Sequence, residues 1–291
     1  MRAVKPKPLN RNALKSFPLP RVVDGDKETK GQILIVAGCR QLAGAALLVA
    51  NAAMRAGAGK LQMVTVESVA IETSLAMPEA MVLGFDEARD GGYTRTAVRK
   101  IADAAKHSDV VVAGPGMAEA KTCAALAEAL LRSPAGVVLD AALLHSLRPL
   151  DRDRHGGNGS PILLPHAGEL SSLLGCKEEE VDGDPMGCGL RAAALYQANV
   201  LVKGVTSFVV TPDGRAWTYS GGAPGLGVSG SGDVLAGIVG GLMARGAEPL
   251  TALLWGVLLH GEAGEALARK VGPIGFLARE IPEEIPGLLA R

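Results

Sequence analysis

Gly230-Ser231-Gly232-Asp233 runs directly into the apolar stretch Val234-Leu235-Ala236-Gly237, and in this 291-residue chain it is the segment whose residue types and spacing best suit chemistry. Glycines at 230 and 232 let backbone N–H groups converge, and a helix start adds unpaired donors and the positive end of its dipole. The result is an anion hole. Asp233, in the first turn, is stabilised there as a carboxylate and can accept a proton from a substrate hydroxyl. A base beside an anion hole is what phosphoryl transfer to an alcohol requires: the hole neutralises the moving group while the base serves the nucleophile. The plainer reading, that Ser231 or Asp233 merely caps a helix, stays open at this level.

Three other segments sit at strand ends, the usual ligand edge of an open α/β sheet. They are Pro165-His166-Ala167-Gly168-Glu169, Lys203-Gly204 after Asn199–Val202, and the Gly114-Pro115-Gly116 turn after Val110–Ala113. Each alone is an ordinary turn, and Lys203 alone an ordinary strand-end charge. His166 has two readings: a donor or acceptor near neutral pH, or a histidine hydrogen-bonded in a turn. His107, His145, His155 and His260 lack such a context and read as structural or surface residues. Gly225–Gly230 formally fits G-x-G-x-x-G, but no βαβ unit or strand-end acid follows it, which argues against a dinucleotide site. The run holds no lysine, so it is not a P-loop.

The elements that must position these groups alternate short apolar runs with Ala-rich segments, the rhythm of βαβ units around a mainly parallel sheet. Strands are expected at 33–37, 61–66, 81–84, 109–113, 137–140, 161–164 and 199–203, with a hairpin of 207–211 and 216–220 around Pro212-Asp213-Gly214. Helices are expected at 44–56, 97–106, 121–132, 185–198, 232–245 and 249–270. With 38 glycines and nine aromatic residues, the core is built from Ala, Val and Leu in closely packed elements. Arg152–Ser160 reads as a surface loop, leaving one domain (26–291) behind an N-terminal arm (1–25).

Thirty basic residues balance thirty acidic ones, so charge gives no reason to expect nucleic acid or an anionic membrane as partner. No apolar window reaches membrane-spanning length, and the first twenty residues do not resemble a secretory signal. Cys39, Cys123, Cys176 and Cys188 lack zinc-ligand spacing and read as reduced thiols, so a cytoplasmic location is expected.

Taken together, these segments resemble the ribokinase-like superfamily and, within it, the ADP/ATP-dependent NAD(P)H-hydrate dehydratases, from about Asp26 to Leu289. The resemblance rests on Lys27-x-x-x-Gly31, Gly44-Ala45-Ala46, Gly114-Pro115-Gly116, Val138-Leu139-Asp140, Pro165-His166-x-Gly168-Glu169, Lys203-Gly204 and Gly230-Ser231-Gly232-Asp233. It implies a ribokinase-like three-layer α/β/α sandwich, with a mainly parallel central sheet and a C-terminal antiparallel hairpin. The implied activity is dehydration of the S-epimer of NAD(P)H hydrate. ADP or ATP phosphorylates its hydroxyl, phosphate leaves, and the nicotinamide is restored. Carried over by position, Ala45, Gly116, His166 and Asp233 would contact the hydrate, with Asp233 as base. Lys203, Gly204, Val205, Thr206, Ser207, Gly230, Ser231 and Gly232 would hold the adenine nucleotide, and Glu169 would reach Mg2+ through water. The family habit implies a homo-oligomer, and a separate epimerase partner, because no fused epimerase domain precedes the arm.

The sequence departs from the family pattern at Cys39 and Leu42 in the first loop, at Ala142 after Asp140, and at Ser207. Two other readings stay open: a small-molecule alcohol kinase of the hydroxyethylthiazole-kinase type, and a non-catalytic nucleotide-binding protein.

Overall fold

The computed structural model describes residues 4–21, 31–149, 156 and 159–291. The expectations for Lys27, His155, the end of the N-terminal arm and most of the Arg152–Ser160 loop lie outside the described residues.

The strands are β1 (Lys7–Pro8), β2 (Gln32–Val36), β3 (Lys60–Val66), β4 (Ala80–Phe85), β5 (Val110–Ala113), β6 (Gly136–Leu139), β7 (Ile162–Leu163), β8 (Asn199–Val202), β9 (Ser207–Val210) and β10 (Ala216–Tyr219). Every strand expected from an apolar run is present to within one residue at each end. They form one sheet in the order β1-β10-β9-β8-β7-β6-β5-β2-β3-β4. Pairing is parallel except where β9 meets β8 and β10. Strands β5 to β8 are buried on both faces, which is why they read as continuous Val/Leu/Ile runs without alternation.

The helices are α1 (Ala43–Arg55), α2 (Ala70–Ala76), α3 (Arg95–Ala105), α4 (Cys123–Leu131), α5 (Ala167–Leu174), α6 (Glu178–Gly183), α7 (Pro185–Tyr196), α8 (Ser231–Ala244), α9 (Pro249–Lys270) and α10 (Ile281–Leu289). Two apolar clusters, one on each face of the sheet, complete a three-layer α/β/α sandwich. Helices α1, α8, α9 and α10 supply the first, and α3, α4, α5 and α7 the second. From Val234 onward every residue of α8 is buried, the mark of a helix enclosed on all sides. It crosses α1 closely: a Cβ on Gly237 would lie 2.3 Å from the Val49 carbonyl oxygen, so only glycine fits.

Helices α2, α5, α6 and α10 were not expected. Pro282 and Pro286 mask α10, and α5 begins at a histidine cap that reads as a loop. The described N-terminal residues pack along the body: β1 pairs with β10, Leu9 and Leu14 are buried, and the Trp255 indole donates to the Phe17 carbonyl at 2.7 Å.

This topology fixes where a ligand can sit. Strand order reverses between β2 and β5, and in an open α/β sheet ligands bind beyond the C-terminal strand ends at such a reversal.

Candidate active site

Four chain segments meet at that edge. Asp140 follows β6, Lys203 follows β8, α5 starts at Ala167, and α8 brings its first turn in from the neighbouring layer. Lys203 Nζ donates to Asp140 Oδ1 at 2.7 Å and lies 3.6 Å from Glu169 Oε2. Its backbone N–H bonds the Pro165 carbonyl at 2.9 Å, which locks β8 to the loop that opens α5. A Cβ placed on Gly232 would be 3.7 Å from the same Nζ, so the ammonium lies against the first turn of α8.

The carboxylates around this lysine are buried: Asp140 is 2% exposed and Glu169 4%. Burial lowers the Lys203 pKa, but the charges of Asp140 and Glu169 and the Asp140 hydrogen bond outweigh it, so the ammonium form is held. Burial pushes the Asp140 carboxyl up, with Lys203 opposing. The residue after Asp140, Ala141, sits at φ 49°, a left-handed conformation uncommon for a residue with a side chain. Such strain persists where the surroundings enforce it, and here it follows the site's most buried acid.

Helix α5 starts with a closed cap. His166 Nδ1 accepts from the amides of Gly168 at 3.1 Å and Glu169 at 3.4 Å, while Glu169 Oε2 accepts from the His166 amide at 2.8 Å. The lone pair of Nδ1 is thus committed to two N–H groups, so the ring proton is on Nε2, which lies 3.4 Å from Glu169 Oε1. Of the two sequence readings of His166, the turn-bonded one is realised. In this geometry the ring offers a donor and no free base.

Helix α8 starts open. Its N-cap is Gly230 at φ 88°, a conformation glycine adopts without penalty, and no side chain caps it. Of the two readings left open, the one in which Ser231 or Asp233 caps the helix is not realised. Ser231 N donates to the Val228 carbonyl and Val234 N to that of Gly230, but among the described residues the amides of Gly232 and Asp233 have no acceptor. Asp233 is half-buried and accepts no hydrogen bond from the described residues. Burial and the nearby negative charge of Asp140 push its carboxyl up to about 6, with Lys203 opposing. A base with a pKa close to neutrality faces two unpaired amides and an ammonium group.

The remaining candidates divide in two. Ala45, in the first turn of α1, meets Gly116: a Cβ on Gly116 would fall 2.3 Å from that of Ala45 and 2.9 Å from the Leu42 carbonyl. This pair lies at the C-terminal ends of β2 and β5, where Gly38 N also bonds the Pro115 carbonyl at 2.8 Å. In the loop 203–207, by contrast, the side chains after Lys203 do not converge on it. Val205 is 99% exposed, Thr206 Oγ1 bonds Ser220 Oγ at 3.2 Å, and Ser207 Oγ closes the turn onto the Gly204 carbonyl at 3.2 Å. Of the departures, Cys39 and Ala142 are buried and Leu42 lies 58% exposed above Gly116.

Two contacts of this edge had no role in the sequence reading, where Asp140 stood only as a landmark of the resemblance. Asp140 ends an apolar run just as Lys203 does, and the strand-end rule applied to 137–140 finds it. His260, read as structural or surface, packs half-buried against α8 with Nε2 3.0 Å from Ser231 Oγ, and no local signal marks that contact.

A model of the NAD(P)H-hydrate dehydratase family matches residues 33–287. The chain is 46% identical over 282 residues to an ADP-dependent (S)-NAD(P)H-hydrate dehydratase of Xanthomonas campestris, covering 96% of this chain and 94% of that one. It is 33% identical to a bifunctional NAD(P)H-hydrate repair enzyme of Moorella thermoacetica, of which it spans about half the length (51%). Among solved structures, an ADP/ATP-dependent NAD(P)H-hydrate dehydratase from Bacillus subtilis, co-crystallised with ATP/Mg2+, superposes with a TM-score of 0.86 at 28% identity over 99% of each chain. A ribokinase-like superfamily protein from Enterococcus faecalis gives a TM-score of 0.80 at 22% identity, covering 98% of this chain and 95% of that one. The fold is ribokinase-like.

Proposed function

The chain belongs to the NAD(P)H-hydrate dehydratase family, and from that premise we propose how the edge just described carries out the ADP- or ATP-dependent dehydration of (S)-NAD(P)H hydrate. The observation that carries the reading is the open first turn of α8, where among the described residues the Gly232 and Asp233 amides are unpaired beside the Asp233 carboxyl and with the Lys203 ammonium against Gly232. The hydrate enters at the C-terminal ends of β2 and β5, where Ala45, Gly116 and His166 line its path. Asp233 takes the proton of the hydrate hydroxyl as its oxygen bonds the terminal phosphorus of the nucleotide and the old P–O bond breaks. The amides of Gly232 and Asp233, with Lys203, bear the charge of the group in transit. The C–O bond to phosphate then breaks, a proton leaves the adjacent ring carbon, and the ring double bond returns. Hydroxide is a poor leaving group and phosphate a good one, which is why the nucleotide is spent.

The nucleotide lies along residues 203–207 and 230–232, held mainly by backbone groups, since the Val205 side chain is fully exposed and Thr206 Oγ1 bonds Ser220 Oγ. Magnesium fits this donor set only as an ion carried by the nucleotide. No cluster of three ligating side chains exists among the described residues, and Glu169 Oε2 already accepts an amide hydrogen bond. Glu169 would hold the ion through water, and the ion would supply neutralisation of phosphate charge. The catalytic unit is residues 26–291, acting as a homo-oligomer in the cytoplasm. Exposed Ile71 and Leu75 of α2 and Met81 of the edge strand β4 support the assembly, and four unpaired cysteines a reducing compartment.

The deciding experiment incubates the purified protein with NADHX, ADP and magnesium and follows the return of reduced-nicotinamide absorbance together with AMP and phosphate release. Recovery with one AMP and one phosphate per turnover is expected. A stable phosphate ester on a thiazole or pyrimidine alcohol, without recovery, would establish the kinase alternative. Nucleotide binding without turnover of either substrate would establish the non-catalytic one.

A further inference from the structure

The open turn of α8 is gripped from behind by a side chain to which the reaction above gives no part. His260 stands within α9, and its Nε2 lies 3.0 Å from Ser231 Oγ and 3.1 Å from the Ser231 carbonyl oxygen. A carbonyl oxygen only accepts, so the nitrogen facing it must carry the ring proton. The imidazole is the Nε2–H tautomer, donating into both oxygens of one residue. Burial, aided by the Lys203 charge, drives its pKa down to about 4, so the ring adds no charge beside the anion hole at neutral pH.

A serine at the start of a helix tends to fold back onto backbone groups of its own turn. Ser231 does not: its hydroxyl is drawn to His260, and among the described residues no side chain caps α8 and the Gly232 and Asp233 amides stay without acceptors. Released from the ring, the hydroxyl can compete for the Asp233 amide two residues on.

We infer that His260 is a positioning residue for phosphoryl transfer: by donating to Ser231 Oγ and O it keeps the serine from closing the first turn of α8 and holds the Asp233 amide open toward the migrating group. The inference rests on the reading of α8 as the phosphoryl site, and it assigns the ring an orienting task with no contact to either substrate.

The test compares His260→Leu with His260→Gln, because the glutamine amide donates from nearly the place of Nε2 and leucine donates nothing. His260→Leu is expected to lower kcat by about 10-fold or more, as loss of an anion-hole donor does, with KM for the hydrate changed by less than about twofold. His260→Gln is expected to recover kcat to within about threefold of wild type. The 15N spectrum of the wild-type ring at neutral pH is expected to show a neutral Nε2–H imidazole. An active wild type whose Leu variant keeps more than half of kcat overturns the inference, as does a Gln variant as impaired as the Leu variant. Should His260→Leu not fold, the Gln variant and the 15N spectrum decide, and an Nδ1–H ring overturns the inference on its own. A wild type with no hydrate turnover is a different failure, that of the proposed reaction, and it leaves the spectroscopic result standing.

Discussion

Two helices point their N-termini at the same edge, and they begin in opposite ways. Helix α5 is closed by its own residues, with His166 accepting two amides and Glu169 returning a bond to the His166 amide. Helix α8 begins at a glycine, and its amides at 232 and 233 are unpaired among the described residues. Lys203 stands between them, 3.6 Å from Glu169 Oε2 and against Gly232. The first helix start spends its donors on its own fold and so positions charge. The second withholds them and so can take up an anion.

Cutting the link between the two starts is the severest way to break this comparison. Lys203→Met leaves Asp140 and Glu169 buried without their cation, and is expected to cost about 3–5 kcal/mol of stability in denaturant unfolding. Adding Asp140→Asn should restore a large part of that loss. A Lys203→Met protein as stable as wild type would mean that the ion pair does not join the two regions.

At the open start, Asp233→Asn is expected to reduce kcat on the order of 100-fold or more, while ADP still shifts the melting temperature. The acid limb that wild-type kcat/KM should show near the Asp233 pKa of about 6 should vanish with it. Stability should move the other way. The folded pKa lies above the unfolded 3.8, so Asp233 contributes most at low pH, and that contribution is lost as pH rises through about 6. Asp233→Asn should therefore be more stable than wild type at neutral pH, by about 1–2 kcal/mol after allowing for partial exposure, and the gap should shrink toward about pH 4. Thermal melts across that range check it, and a gap that grows on acidification would refute the sign.

The smallest effect sharpens the closed start. His166→Ala should cost about 1 kcal/mol through loss of the cap, whereas His166→Asn, a good capping residue, should hold stability within about 0.5 kcal/mol. If the ring also contacts the hydrate, both variants raise its KM. An Asn variant normal in both respects would confine His166 to capping.

Much of this was legible in the chain itself. Buried parallel strands announce themselves as unbroken apolar runs, and α8 and α9 as long apolar stretches, so the ordering of elements followed from residue pattern. The chemistry of 230–233 was also readable, because glycine spacing and a first-turn acid act locally. The start of α5 was not, since a histidine seldom caps a helix and the segment reads as a loop until its two amides are seen on Nδ1. Nor was β1, two residues long with a proline, whose partner β10 lies at the other end of the chain.

Sequence alone determined which backbone can bind an anion and which side chain beside it can take a proton, because both depend on residues adjacent in the chain. Only the tertiary structure decided what those groups become. Lys203 meets Asp140 across 63 positions and Ser231 meets His260 across 29. Charge pairing, desolvation and the choice between a capped and an open helix act through space, and folding alone brings those partners within reach.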